Sequence, residues 1–134
     1  MMGISCPSTN NCFITGGNEN TAFGIYKTGP VPKNFSNITK LTINSPEPAI
    51  FLLSAAMQDD THGVCGGVEI GIGGTYYTLD GKTFTESLEL GIVNTQAVYS
   101  LGNDSYAFVG HATRREGAAI STNAGVEFVG KWWP

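Results

Sequence analysis

Three glycines set the frame for this sequence: Gly16, Gly66 and Gly110 stand 50 and then 44 residues apart. The same two offsets carry Thr28 onto Thr78 and Thr122, and Cys6 onto Ala56 and Ser100, each of which ends a short apolar stretch. Separate anchors sharing one pair of offsets mark an internal repeat, and a repeated unit must bury its apolar sides against its neighbours. The units share one grammar. An apolar stretch (MGIS, FLLSAA, QAVYS) leads to a polar turn (PSTNN, QDDTH, LGNDS), then to a second strand ending in glycine (CFITGG, GVCGG, YAFVG). A variable polar link precedes a third strand (FGIYKT, GTYYT, AAIST), and a turn with an aromatic closes the unit (GPVPKNF, LDGKTF, NAGVEF).

Short strands between turn signals, in units of roughly 40–50 residues, have the spacing of β-propeller blades. The expected fold is all-β, built of antiparallel β-sheet repeats: about three propeller blades, in units spanning about 2–40, 49–87 and 94–134. Eighteen glycines and six prolines fit frequent turns and argue against long helices. A ring closes with about four to eight blades. Three therefore form an open arc, or part of a six- or seven-bladed propeller, and leave two apolar sheet faces uncovered. The sequence ends on Lys131-Trp132-Trp133-Pro134 as if within a blade, so the expectation is a piece of a longer propeller. Two copies joined in one ring are the alternative, and a small sandwich with similar hairpins is the plainest reading.

The closing turns carry the most specific pattern. Ser121-x-Asn123-x-Gly125-x-x-Phe128 and Thr78-x-Asp80-Gly81-x-x-Phe84 share a hydroxyl residue, an amide or carboxylate two places later, a glycine and an aromatic. The first unit's version, closing on Phe35, is degenerate. These turns resemble the Asp-box, or bacterial neuraminidase repeat, written Ser-x-Asp-x-Gly-x-x-Trp/Phe, with Asn123 in the aspartate's place. The copy at Thr78 looks like a Thr-x-Asp-Gly-Gly-Lys-Thr-Trp turn with one glycine missing. The whole chain is similar to sialidase-like β-propeller proteins, and most to photosystem II stability/assembly factor-like proteins and their bacterial relatives. The physical use of such a box is structural: Asp or Asn binds nearby backbone N–H groups, Gly takes a positive φ, and the aromatic fills space beside the hairpin. Cys6 and Cys12 end the turn CPSTNNC, close enough along a hairpin for a bridge. Similar Cys-Pro-Ser-x-x-x-Cys turns of secreted bacterial propellers imply the same pairing. A disulfide implies an oxidising, extracytoplasmic compartment: secreted, periplasmic or lumenal. Cys65, on a strand opposite Thr15 and Val109 in the alignment, is expected to be a buried small residue.

Charge narrows the function classes. The net charge is −4, and Arg114–Arg115 is the one adjacent basic pair; nucleic acid and anionic membranes need clustered basic residues. The longest apolar run, Ala49 to Met57, is about half a membrane span. The N-terminus lacks the basic and apolar segments of a secretory signal. His62 and Cys65 have no second pair at zinc-like spacing, so no metal is expected. Gly81-Lys82-Thr83 lacks the first glycine of a phosphate loop, that place being Tyr76, and the Gly71–Gly74 run fails as a dinucleotide fingerprint for the same reason. No cofactor is expected.

Asn34, Asn37 and Asn103 match the N-glycosylation acceptor pattern. A glycosidase needs paired carboxylates or a tyrosine nucleophile. The family's sialidases also hold their substrate with three separated arginines, whereas this chain has two, side by side. Asp59, Asp60, Glu69 and Glu116 read as solvated surface carboxylates. His111, Arg114 and Arg115, in a link between strands, form a candidate contact loop, and Trp132 and Trp133 are expected to fill a blade interface. The resulting expectation is a non-catalytic propeller scaffold that binds a protein partner or further blades, with assembly of a larger complex implied by the resemblance. A carbohydrate-active propeller and a secreted self-assembling subunit are the alternatives.

Overall fold

The computed structural model describes residues 3–18, 21–29, 38–45, 51–68, 74–88, 94–112 and 115–133. Every regular element among them is a β-strand. Three antiparallel meanders follow one another. The first is β1 (Gly3–Ser5), β2 (Phe13–Asn18), β3 (Thr21–Lys27) and β4 (Thr39–Lys40), paired in that order. After β5 (Thr42–Asn44) comes the second: β6 (Phe51–Met57), β7 (Gly63–Val68), β8 (Thr75–Thr78) and β9 (Thr83–Glu86). The third is β10 (Asn94–Gly102), β11 (Ser105–Ala112), β12 (Arg115–Ser121) and β13 (Val129–Trp133). The pair Asn94–Val68 links the second and third meanders, and no sheet closes into a barrel.

The ladders repeat position by position. Gly16 faces Gly24, Gly67 donates its N–H to Gly74, and Gly110 faces Gly117. Further along the same hairpins, Thr28 donates its N–H to Cys12, Gly63 faces Thr78, and Tyr106 faces Ser121. These registers correct the alignment read from sequence in two places. Gly67, not Gly66, is the counterpart of Gly16 and Gly110. Buried Ser121, not exposed Thr122, is the counterpart of Thr28 and Thr78. A glycine doublet is ambiguous to one residue, and the third unit's closing turn is one residue longer than the second's.

A β-bulge recurs at matching register. The β6–β7 ladder steps from Ser54–Gly66 to Leu52–Gly67, and the β10–β11 ladder from Ala97–Val109 to Thr95–Gly110. One extra residue reverses the inside–outside alternation. Leu52 thereby joins Ala55 and Met57 on one face of the middle sheet, and Thr95 joins Val98 beside Gly66.

The middle sheet is buried on both sides. Leu52, Met57, Cys65, Tyr76 and Phe84 pack with Phe13, Ile25 and Leu41 of the first unit and its exit. The alternate residues Ala56, Val64 and Tyr77 pack with Val98, Tyr106, Phe108, Ala119 and Phe128 of the third. There the Phe108 and Phe128 rings meet edge to face, 4.9 Å apart. Each large apolar side chain so buried contributes about 1.5–3 kcal/mol. The chain also ties successive units: β5 lies parallel to β9, pairing Thr42 with Thr83 and Asn44 with Thr85. Likewise Leu88 donates its N–H to Val126 (2.8 Å) and accepts that of Phe128 (2.9 Å), while the Ser87 hydroxyl donates to the Gly125 carbonyl (2.6 Å).

Candidate functional site

The closing turns of the second and third units are held by their own side chains. Thr78 Oγ1 donates to Asp80 Oδ1 (3.1 Å) and accepts the Gly81 N–H (2.9 Å). Asp80 Oδ1 also accepts the N–H groups of Lys82 and Thr83, each at 2.8 Å. Those two amides hold the Asp80 carboxyl below its ordinary range, against a small opposing push from burial. Ser121 Oγ donates to Asn123 Oδ1 (2.8 Å) and accepts the Gly125 N–H (3.0 Å), and Asn123 Oδ1 accepts the Glu127 N–H (3.1 Å). Gly81 and Gly125 take φ of 68° and 83°, the left-handed region that favours glycine. Phe84 and Phe128 are buried behind their turns. Each turn is thus closed on itself through one side-chain oxygen, Asp80 Oδ1 or Asn123 Oδ1.

Among the described residues of the first unit's closing turn, Thr28 supplies the hydroxyl. Thr28 Oγ1 accepts the Cys12 N–H (3.2 Å) and donates to the Gly29 carbonyl (3.2 Å). Phe35, Asn34 and Asn37 lie outside the described residues. The β3–β4 register, with Lys27 facing Thr39, puts Ile38 at the place held by Phe84 and Phe128.

The loops joining the first two strands of each unit lie together at one end. Cys6 and Cys12 stand at disulfide distance with Cα atoms 4.1 Å apart. Their counterparts by register are Met57 with Gly63 and Ser100 with Tyr106. The second loop is held instead by Asp59, whose Oδ1 accepts the N–H groups of Thr61 (2.8 Å) and His62 (2.7 Å) and the Thr61 hydroxyl (2.8 Å). Partial burial raises the Asp59 carboxyl, but these bonds outweigh it and bring it down to about 2. The third loop is a two-residue turn in which Asn103 and Asp104 both have positive φ, the geometry of a tight hairpin.

Side chains tie the loops across units. Ser8 donates to Asp60 Oδ1 (2.8 Å), and Gln58 Oε1 accepts the Asp104 N–H (2.6 Å). Asp59 thus braces its own turn and Asp60 ties it to the first unit's loop. Among the described residues no His/Cys/Asp/Glu group suits a metal ion. Cys65 is fully buried, as expected of a small strand residue, and burial pushes its thiol up. Burial, with help from Asp104 and Asp59, pushes the Tyr106 phenol up to about 12.

The contact loop proposed from sequence is described by its backbone alone. His111 faces Glu116 and Ala112 faces Arg115 at the end of the β11–β12 ladder; Arg114 and Glu69 lie outside the described residues. Trp132 and Trp133 belong to β13 and face Gly117 and Glu116.

The surface that stands out is the face of the third sheet turned away from the middle one. Two ladder rows cross it: Tyr99, Ala107, Ile120 and Val129, then Ala97, Val109 and Ala118. These seven are apolar, and the second row ends on β13 at Lys131. Tyr99, Val109, Ile120 and Val129 are 54%, 40%, 52% and 68% exposed. Sequence reasoning anticipated an uncovered face but did not name its residues, because the bulges that set which side each residue faces leave no mark in the sequence. Comparison of the chain with protein-family models, with curated proteins and with solved structures found no match in any of the three.

Proposed function

We propose that the chain is a non-catalytic scaffold of propeller type, its meanders serving as blades, and that it binds a protein partner through the open face of the third sheet. One observation carries this reading: neighbouring exposed apolar residues, Tyr99, Val109, Ile120 and Val129, on a sheet whose other side is packed. Contiguous patches of this kind mark interaction sites, whereas apolar residues scattered singly do not. The resemblance to assembly-factor propellers supports a role in building a larger complex, and the disulfide-distance pair fits an extracytoplasmic setting.

The reading is tested with the wild-type chain and an Ile120→Arg, Val129→Glu variant as baits for chemical cross-linking in the source extract. Both positions are exposed, so the variant keeps its fold. Protein cross-links to the third sheet should appear with the wild type and disappear with the variant. Equal recovery from both, or a saccharide that binds the variant as well as the wild type on a glycan array, would contradict it.

A further inference from the structure

Register equivalence identifies what fits the open face. Each internal interface seats one sheet's outgoing face on the incoming face of the next. The outgoing positions are Phe13 and Ile25 in the first unit, and Val64, Gly66 and Thr75 in the second. All five are buried. Their counterparts in the third unit are Ala107, Val109 and Ala118, and there the face is open. The incoming positions are Ala55, Cys65 and Tyr76 in the second unit and Val98, Phe108 and Ala119 in the third. Cys65, Tyr76, Phe108 and Ala119 are almost wholly buried. Their counterparts in the first unit are Ile4, Ile14 and Tyr26, of which Ile4 is 50% exposed and the others are half-buried. Among the described residues, the third sheet thus has an outgoing face and the first sheet an incoming face left uncovered; each is apolar across three strands, ends on a lysine of the fourth (Lys131 and Lys40), and stands in the register that two internal interfaces already use.

We infer that the open face of the third sheet is covered by the first sheet of a second copy of this chain, stacked head to tail. The inference rests on the scaffold reading of that face and names its partner. At the existing interfaces the position equivalent to Val109 is Thr15, a buried β-branched residue, and Gly66, which abuts Thr95 and Val98; the counterpart of Val98 in the first unit is Ile4, so the same register brings Val109 of one copy beside Ile4 of the next. Such a contact is heterologous, closing into a ring if the rotation per copy allows and extending into a stack if it does not. Either way it buries both apolar faces and leaves the two internal interfaces unchanged.

The test uses the full chain in two versions, each with one added cysteine, Val109→Cys and Ile4→Cys, mixed and treated with a short bis-maleimide. Cys65 is buried and Cys6 and Cys12 stand at disulfide distance, so the introduced thiols are the reactive ones. The expected product is the mixed pair, absent when either version is treated alone. Light scattering of the unmodified chain should give at least twice 14.2 kDa, and Val109→Arg should return it to the monomer mass. A monomer at all concentrations, or a Val109→Cys pair with itself, overturns the inference. A monomer whose open face still cross-links another protein sinks the second-copy assignment alone; loss of both sinks the scaffold reading too.

Discussion

Gly125 concentrates two constraints on one residue. Its φ of 83° is left-handed, and a Cβ built there would run into Val64 of the middle sheet and press on Tyr77. Gly102 has nearly the same φ, 80°, but a Cβ there would meet nothing. The pair separates backbone strain from packing. Gly102→Ala should cost about 1 kcal/mol, the left-handed penalty alone. Gly125→Ala should cost about 2–4 kcal/mol, because overpacking adds to that penalty. Urea midpoints at constant m-value measure both. Equal costs would show that the third unit's box does not touch the middle sheet.

At the scale of elements, three matching hairpins are closed by different chemistry: a cysteine pair, an aspartate-centred turn and a tight two-residue turn. Hydrogen bonds from Thr61 and His62 hold the Asp59 carboxyl at about 2, below the ordinary aspartate value of 3.8. A carboxyl depressed by folding stabilises the native state fully above its unfolded value, and that contribution is lost as pH falls from 3.8 through about 2. Asp59→Asn should therefore flatten the fall in stability across that window. The difference should be under about 1 kcal/mol, because the side chain is largely exposed and screened. Unfolding midpoints measured from pH 5 down to about pH 2 decide it; an unchanged slope would mean that Asp59 does not hold the turn.

Hairpins of this kind were legible in the sequence because turn chemistry is local. Ser121, Asn123 and Gly125 declare their roles within a few residues, and so do Thr78, Asp80 and Gly81. What was not legible is the bulge. Nothing about Leu53 or Gln96 marks a skipped register, since the choice depends on which face the strand must present to its neighbour. A single offset also failed within the closing turns: it carries Phe84 onto Phe128 but Thr78 past Ser121, because the extra residue lies between the hydroxyl and the aromatic.

For the whole molecule, the organising fact is that one interface is used twice. Three sheets stack through alternate residues of the middle one, which contributes Cys65 and Tyr76 to one side and Val64 and Tyr77 to the other. Such an array gains stability from nearest-neighbour contacts, so its terminal faces carry whatever capping or recognition it has. Proposed function and self-stacking both follow from the third sheet's uncovered side, and both require that the three units share one register. Cross-strand nuclear Overhauser contacts test that requirement most directly. The account predicts backbone contacts between Gly16 and Gly24, Gly67 and Gly74, and Gly110 and Gly117. A spectrum in which Gly66 takes the place of Gly67, or in which any of the three pairs is absent, would contradict it.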